Sequence, residues 1–155
     1  MSQKKSKLPW VLGGIAAFML LCCGGIVGGG FLLFQKGMQT AQLQAPFATE
    51  VMTKMSDSNY EFESVADYFD ASIFSGNQLD QLKVAMTAYG EKLGKFKSVG
   101  SASGFNSSYD NGITTNRYIF NTYFEKAEGA LTIGVRDQNG INKIVEFSID
   151  SSALK

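Results

Sequence analysis

The chain is predicted to be an α+β protein held behind a single membrane-spanning helix, and three observations predict it. The run Trp10–Phe34 carries no charge. Apolar residues then recur every three or four positions as far as Leu93. After Gly94 the period changes to two. Helical spacing followed by strand spacing in one chain gives helices first and an antiparallel sheet afterwards, with one sheet face covered by the helices.

The predicted transmembrane helix is 10–34. At a rise of about 1.5 Å per residue it would reach roughly 37 Å, beyond the ~30 Å hydrocarbon core of a bilayer. Gly13, Gly14, Gly24, Gly25, Gly28, Gly29 and Gly30 would weaken such a helix in water. In lipid, unsatisfied backbone is so costly that a helix remains the spanning solution. Pro9 and Trp10 suit the entering interface, and Gln35-Lys36 marks the return to water. Lys4, Lys5 and Lys7 precede the span and only Lys36 closely follows it. That bias puts the 1–9 tail in the cytoplasm and everything after the span outside it, the topology of a single-pass signal anchor. Signal cleavage is the rival, which would release a secreted protein. However, the run exceeds an ordinary signal core, and Phe31-Leu32-Leu33-Phe34 follows the small-residue site Gly28-x-Gly30. A lipobox would want a small residue before Cys22 or Cys23, and Leu21 is not one. A pilin cleavage site at Gly30-Phe31 would need the apolar stretch after it, not before. Gly24 with Gly28, and Gly25 with Gly29, have the spacing through which two membrane helices approach closely, a route to weak self-association.

The 14 basic and 14 acidic residues cancel. Four of the lysines lie at positions 4, 5, 7 and 36, which leaves 10 basic against 14 acidic residues from Gly37 onward, a net of −4. An acidic domain lacks the basic footprint that nucleic acid requires. Asp57, Glu61, Glu63, Asp67, Asp70 and Asp80 fall between Lys54 and Lys83 with no base among them, which reads as a solvated face. There is no histidine, and both cysteines lie inside the predicted span. Cys/His zinc sites, Ser-His-Asp and Cys-His triads, and a domain disulfide are thereby excluded. The glycine-rich run has no GK[ST] ending and no GxGxxG, so it is no phosphate loop. Asp137-Gln138-Asn139-Gly140 starts like a calcium loop but lacks the closing glutamate, and turn chemistry explains it better. Asn106-Ser107-Ser108 is a glycosylation sequon. No cofactor, metal site or catalytic group is implied.

Residues 35–45 read as a linker or stalk, and 46–155 as the extracytoplasmic domain. Pro46 fits a first helical position, and Phe47, Val51 and Met55 form one stripe. Phe62, Val65, Phe69 and Ile73 predict a second helix. Ser75-Gly76-Asn77 breaks it and offers an N-cap, and Leu79, Leu82, Met86, Tyr89 and Leu93 predict a third that stops at Gly94. A Gly/Ser-rich strand from Phe96 to Phe105 comes next, then a turn at Asp110-Asn111-Gly112. The strand from Ile113 to Lys126 carries Tyr118, Phe120 and Phe124 inward. Leu131, Ile133 and Val135 define another, and Asn139-Gly140 turns it back onto Val145, Phe147 and Ile149. About 110 residues suffice for one core.

The Leu79–Leu93 helix, the LGKFKS segment at Leu93–Ser98 and the strands in NRYIFNTYFEKAEGALTIGVRDQNGINKIVEFSI together resemble NTF2-like (cystatin-like) domains over about Phe74–Asp150. The resemblance implies a curved sheet wrapped on a helix and a pocket that serves small ligands, partner proteins or, in isomerase-type members, catalysis by a carboxylate beside a tyrosine. Asp67, Asp70, Tyr68, Tyr118 and Tyr123 supply those residue types. With no catalytic constellation in place, the expected function is a membrane-tethered, non-enzymatic domain that binds a protein or envelope component. An isomerase-like enzyme or small-ligand binder is the alternative.

Overall fold

The computed structural model describes residues 44–155, so the predicted span at 10–34, its glycines and the stalk as far as residue 43 lie outside the described residues. Among the described residues, no helix is long and apolar enough to cross a membrane. From residue 44 onward the chain forms an α+β domain of two helices and a four-stranded antiparallel sheet.

Helix α1 is described over 44–57 and buries Ala48, Val51, Met52 and Met55. These positions widen the expected stripe to both residues of each turn, as a core-facing helix requires. Gln44 and Ala45 are already helical, so Pro46 does not open the helix. Asn59 and Tyr60 then adopt positive φ of 55° and 62°, and the Tyr60 N–H closes onto the Met55 carbonyl at 2.7 Å, which turns the chain out of the helix.

The second predicted helix does not form. Its place holds two 3-10 turns, Phe62–Ser64 and Ala66–Tyr68, and an extended Phe69. The apolar spacing still delivers Val65 and Phe69 to the core. The backbone bonds elsewhere, however. Ser64 Oγ donates to the Glu61 carbonyl at 2.7 Å, and Ser58 Oγ donates to that of Met55 at 3.0 Å. Such local bonds compete with helix, in a segment otherwise rich in aromatic and β-branched residues of modest helix propensity. The Asp70 N–H donates to Ile144 O at 2.9 Å, and Phe69 forms a parallel bridge to Ile144. This bond to the sheet replaces the helical one.

Helix α2, Gly76–Leu93, agrees closely with the prediction: Leu82, Met86, Tyr89 and Leu93 are buried, and Gly94 ends it with a φ of 75°. Ser75 stands at the N-cap position without a side-chain cap bond.

The sheet is a meander, β1 (Phe96–Asp110), β2 (Ile113–Phe124), β3 (Glu128–Gln138) and β4 (Ile141–Asp150), in spatial order β1-β2-β3-β4. Two-residue turns at Asn111-Gly112 and Asn139-Gly140 place both central residues at positive φ (49° and 82°, 57° and 82°), the conformation whose twist suits a hairpin. Tyr118, Phe120, Thr122 and Phe124 alternate inward along β2, opposite Leu131 and Ile133 of β3. β1 runs five residues past the expected end at Phe105, and β2 stops at Phe124 rather than Lys126.

Spacing alone puts Val145 in the core, but Ile144 takes that place. Gly134 pairs with Glu146 and Val135 with Ile144, so Val145 is an extra residue in a bulge and the alternation changes phase across it. Ile144, Phe147 and Ile149 are buried, and Val145 is only half-buried.

Candidate functional site

Of the expected carboxylates, Asp70 alone sits in a built polar environment. It is 6% exposed. Its Oδ1 accepts from the Ser72 N–H at 2.9 Å and the Ser72 hydroxyl at 2.6 Å. Its Oδ2 accepts from Gln138 Nε2 at 2.6 Å and from Arg136 Nη1 at 3.5 Å. The Ser72 hydroxyl bond leads the effects that hold the Asp70 carboxyl below its ordinary range, with the Ser72 N–H, Gln138 and Arg136 adding to it against the cost of burial. A general base works best with a pKa near the operating pH. Asp70 moves the other way and has its acceptor capacity filled. Its chemistry is to tie the loop after Phe69 to the end of β3.

The other nominated residues are held apart from it. Asp67 is exposed, and its carbonyl accepts from Lys143 Nζ at 2.5 Å. Tyr68 donates to Glu50 Oε1 at 2.5 Å, with Lys54 Nζ 4.9 Å from its ring centre. Tyr118 is 2% exposed, packed between Phe105 and Phe120, and its phenol is pushed up by burial. Tyr123 lies on the sheet face away from the helices, where its ring covers Gly100. The structure therefore does not assemble the carboxylate–tyrosine pairing of isomerase-type sites from these five residues.

The acid run is mostly a solvated face, as expected, with Asp57, Glu61, Glu63, Asp67 and Asp80 exposed; Asp70 is the exception. Sequence reasoning missed its partners. Asp70-Ala71-Ser72 carries the signal of a side chain bonding the backbone two residues on. Gln138 and Arg136 left no comparable signal.

Two grooves lie near this cluster, one of them lined by Arg136. One, of about 430 Å³, lies between the β1–β2 hairpin and Arg136 and includes Asp110, Ile113 and Thr115. The other, of about 330 Å³, lies between the first half of α2 and β4 and includes Phe74, Gln78 and Leu82. Both are bordered by Ile73, Val145 and Glu146, beside the bulge in β4. Glu146, which borders both grooves, is held by a row across the sheet: it passes over Gly134 and reaches Arg117 Nη2 at 3.0 Å. A Cβ at Gly134 would lie 2.8 Å from that of Glu146, so only glycine leaves the crossing open.

A third groove, of about 390 Å³, lies where α1 ends beside the end of α2. Tyr60 lines it and donates its hydroxyl to the Gly94 carbonyl at 2.8 Å. Burial pushes its phenol up to about 12. The fold therefore withholds a proton loss that the unfolded chain undergoes near pH 10, and this part of its stability is lost as pH rises through that window. Tyr60→Phe should cost about 1 kcal/mol near neutral pH and flatten the alkaline limb of the stability profile, read by denaturant melts at pH 7 and pH 11.

Among the described residues no group of three or more acidic, cysteine or histidine side chains could hold a metal ion. No protein-family model matches the chain, and neither curated proteins nor solved structures give a significant match.

Proposed function

We propose that this protein is a single-pass, membrane-anchored domain that binds a protein or envelope component outside the cytoplasm, as an accessory or assembly subunit without catalytic activity of its own. The observation that carries the reading is the charge-free run Trp10–Phe34 behind Lys4, Lys5 and Lys7. The two grooves that share Ile73 and Val145 supply a recessed surface on which Ile113, Phe74 and Leu82 alternate with polar and charged groups such as Asp110, Arg136 and Glu146. Such a mixed lining suits a protein or other polar partner better than an apolar small molecule. The NTF2-like reading is supported by the helices-then-meander order, in which one sheet face receives both helices. Asp70 argues against the isomerase-like alternative, since its carboxylate is saturated by donors.

Topology is the first test. A reporter that is active only after export, fused behind Lys155, should be active, and one that works only in the cytoplasm should be silent. Replacing Lys4, Lys5 and Lys7 by glutamine should weaken the bias. The protein should also resist carbonate extraction at full mass. The reverse reporter pattern would sink the proposed orientation, and a mature N-terminus near Phe31 would establish the secreted alternative. For the binding role, photo-crosslinkers at Ile73 and Gln78 should give one shared adduct in intact membranes that a probe at exposed Val84 does not. Identical adduct patterns from all three positions would count against the groove.

A further inference from the structure

We propose that the β1 edge is a self-association surface on which a second copy of this chain pairs antiparallel across a two-fold axis at Ser107. β1 ends the sheet on one side, and β2 is the one described strand paired with it. Natural edges are commonly blunted by charge, proline or bulges. On β1 the register shifts all lie between Phe96 and Gly104. From Gly104 to Asp110 the pairing is regular, and Ser98–Tyr109 contains neither a charged residue nor a proline.

Hydrogen-bond parity and the limits of the regular stretch together select the register. The two-residue turn makes Asp110 and Ile113 the closing, hydrogen-bonded pair. Bonded positions then recur at Ser108, Asn106 and Gly104. Tyr109, Ser107 and Phe105 instead aim their N–H and C=O groups away from β2, toward the open edge. A two-fold at Ser107 lays outward positions on outward positions: Ser107 on itself and Phe105 on Tyr109 of the other copy. Three bonded residue pairs result, each exchanging both backbone bonds. The same register sets Tyr109, 75% exposed, against Phe105, which is half-buried on the helix-covered side of the sheet. Asp110 falls opposite Gly104, so no like charges meet. A shift by one residue would face inward-bonded groups with outward ones and lose the ladder. A shift by two keeps the parity but leaves only two bonded pairs within the regular stretch Gly104–Asp110, against three here. The edge is thus complementary to itself. A shared bilayer would raise the effective concentration of the pair; that last contribution rests on the proposed anchor, whereas the edge geometry does not.

The test uses the full chain in its own membranes, with Cys22→Ser and Cys23→Ser to remove the two native thiols. Bonded residues of an antiparallel pair stand about 5.5 Å apart at Cα, within the range a disulfide spans. With a mild added oxidant to take up the electrons, Ser107→Cys should give a cross-linked dimer. Asn106→Cys alone should not, but copies carrying Asn106→Cys and copies carrying Ser108→Cys should join to each other. Ser107→Pro should abolish that mixed product, because its missing N–H points to the open edge and the β1–β2 hairpin keeps its bonds. Ser107→Lys, which leaves the backbone intact, should do the same. Dimer from Ser107→Cys no greater than from Tyr123→Cys on the outer sheet face would overturn the proposal. So would cross-linking of Ser107→Cys to a different protein in place of its own copy. The reporter fusions read the anchor separately, so either proposal can fail alone.

Discussion

Met86→Asp should leave the domain unfolded. Met86 is fully buried in the middle of the α2 stripe, between Leu82 and Tyr89. The change removes a methionine side chain from the core, which costs about 2–5 kcal/mol. It also strands a carboxylate with no described cation in the core cluster, at a cost of several kcal/mol more. Together these rival the ~5–15 kcal/mol that holds a domain of this size. Leu82→Asp should be milder, since Leu82 borders the groove beside β4 and the carboxylate can turn toward water. Limited proteolysis of the full chain in detergent would measure both. The Met86→Asp domain should be degraded at protease concentrations that spare the parent. Parent-like resistance would mean that α2 does not carry the core.

That contrast shows how far the sequence could be read. The stripe Leu82, Met86, Tyr89, Leu93 and its stop at Gly94 were legible because helical periodicity and a glycine terminator agree. The Asn-Gly turns were legible because so few residues accept positive φ in succession. The segment from Phe62 to Ile73 misleads for an equally physical reason. Spacing of three and four reports which residues face the core, not where backbone bonds go, and at Asp70 they go to β4. Val145 misleads because a single bulge inverts the faces without any mark in composition. For the candidate site, a carboxylate in a run of exposed acids carried no sign that it would be buried, since its main long-range partners lie 66 and 68 positions away. The predicted span remains a reading of sequence and electrostatics alone.

Asp70→Asn should be the costliest change among the acids, although it alters few atoms. An amide keeps one acceptor, which can still serve Ser72, but it turns its NH2 toward Gln138 Nε2 and Arg136, donors against donors. Arg136 then loses its charge partner, and its Nε already lacks a hydrogen-bond partner. Breaking such charged bonds costs roughly 2–3 kcal/mol. For a domain of this length that is a fall of about 10 °C in Tm. The pH dependence fixes the cause. The Asp70 pKa in the fold lies below its ordinary value, so its contribution is fully present above pH 3.8 and disappears as pH falls through the depressed folded value. The deficit of Asp70→Asn relative to the parent should therefore be constant near neutrality and shrink in acid. Exposed Asp67→Asn should stay within about half a kcal/mol throughout. A deficit that persists unchanged at pH 2 would assign the loss to shape rather than charge. A variant more stable than the parent would show the cluster to be strained, and a strained buried carboxylate beside a groove would make Asp70 a functional group after all.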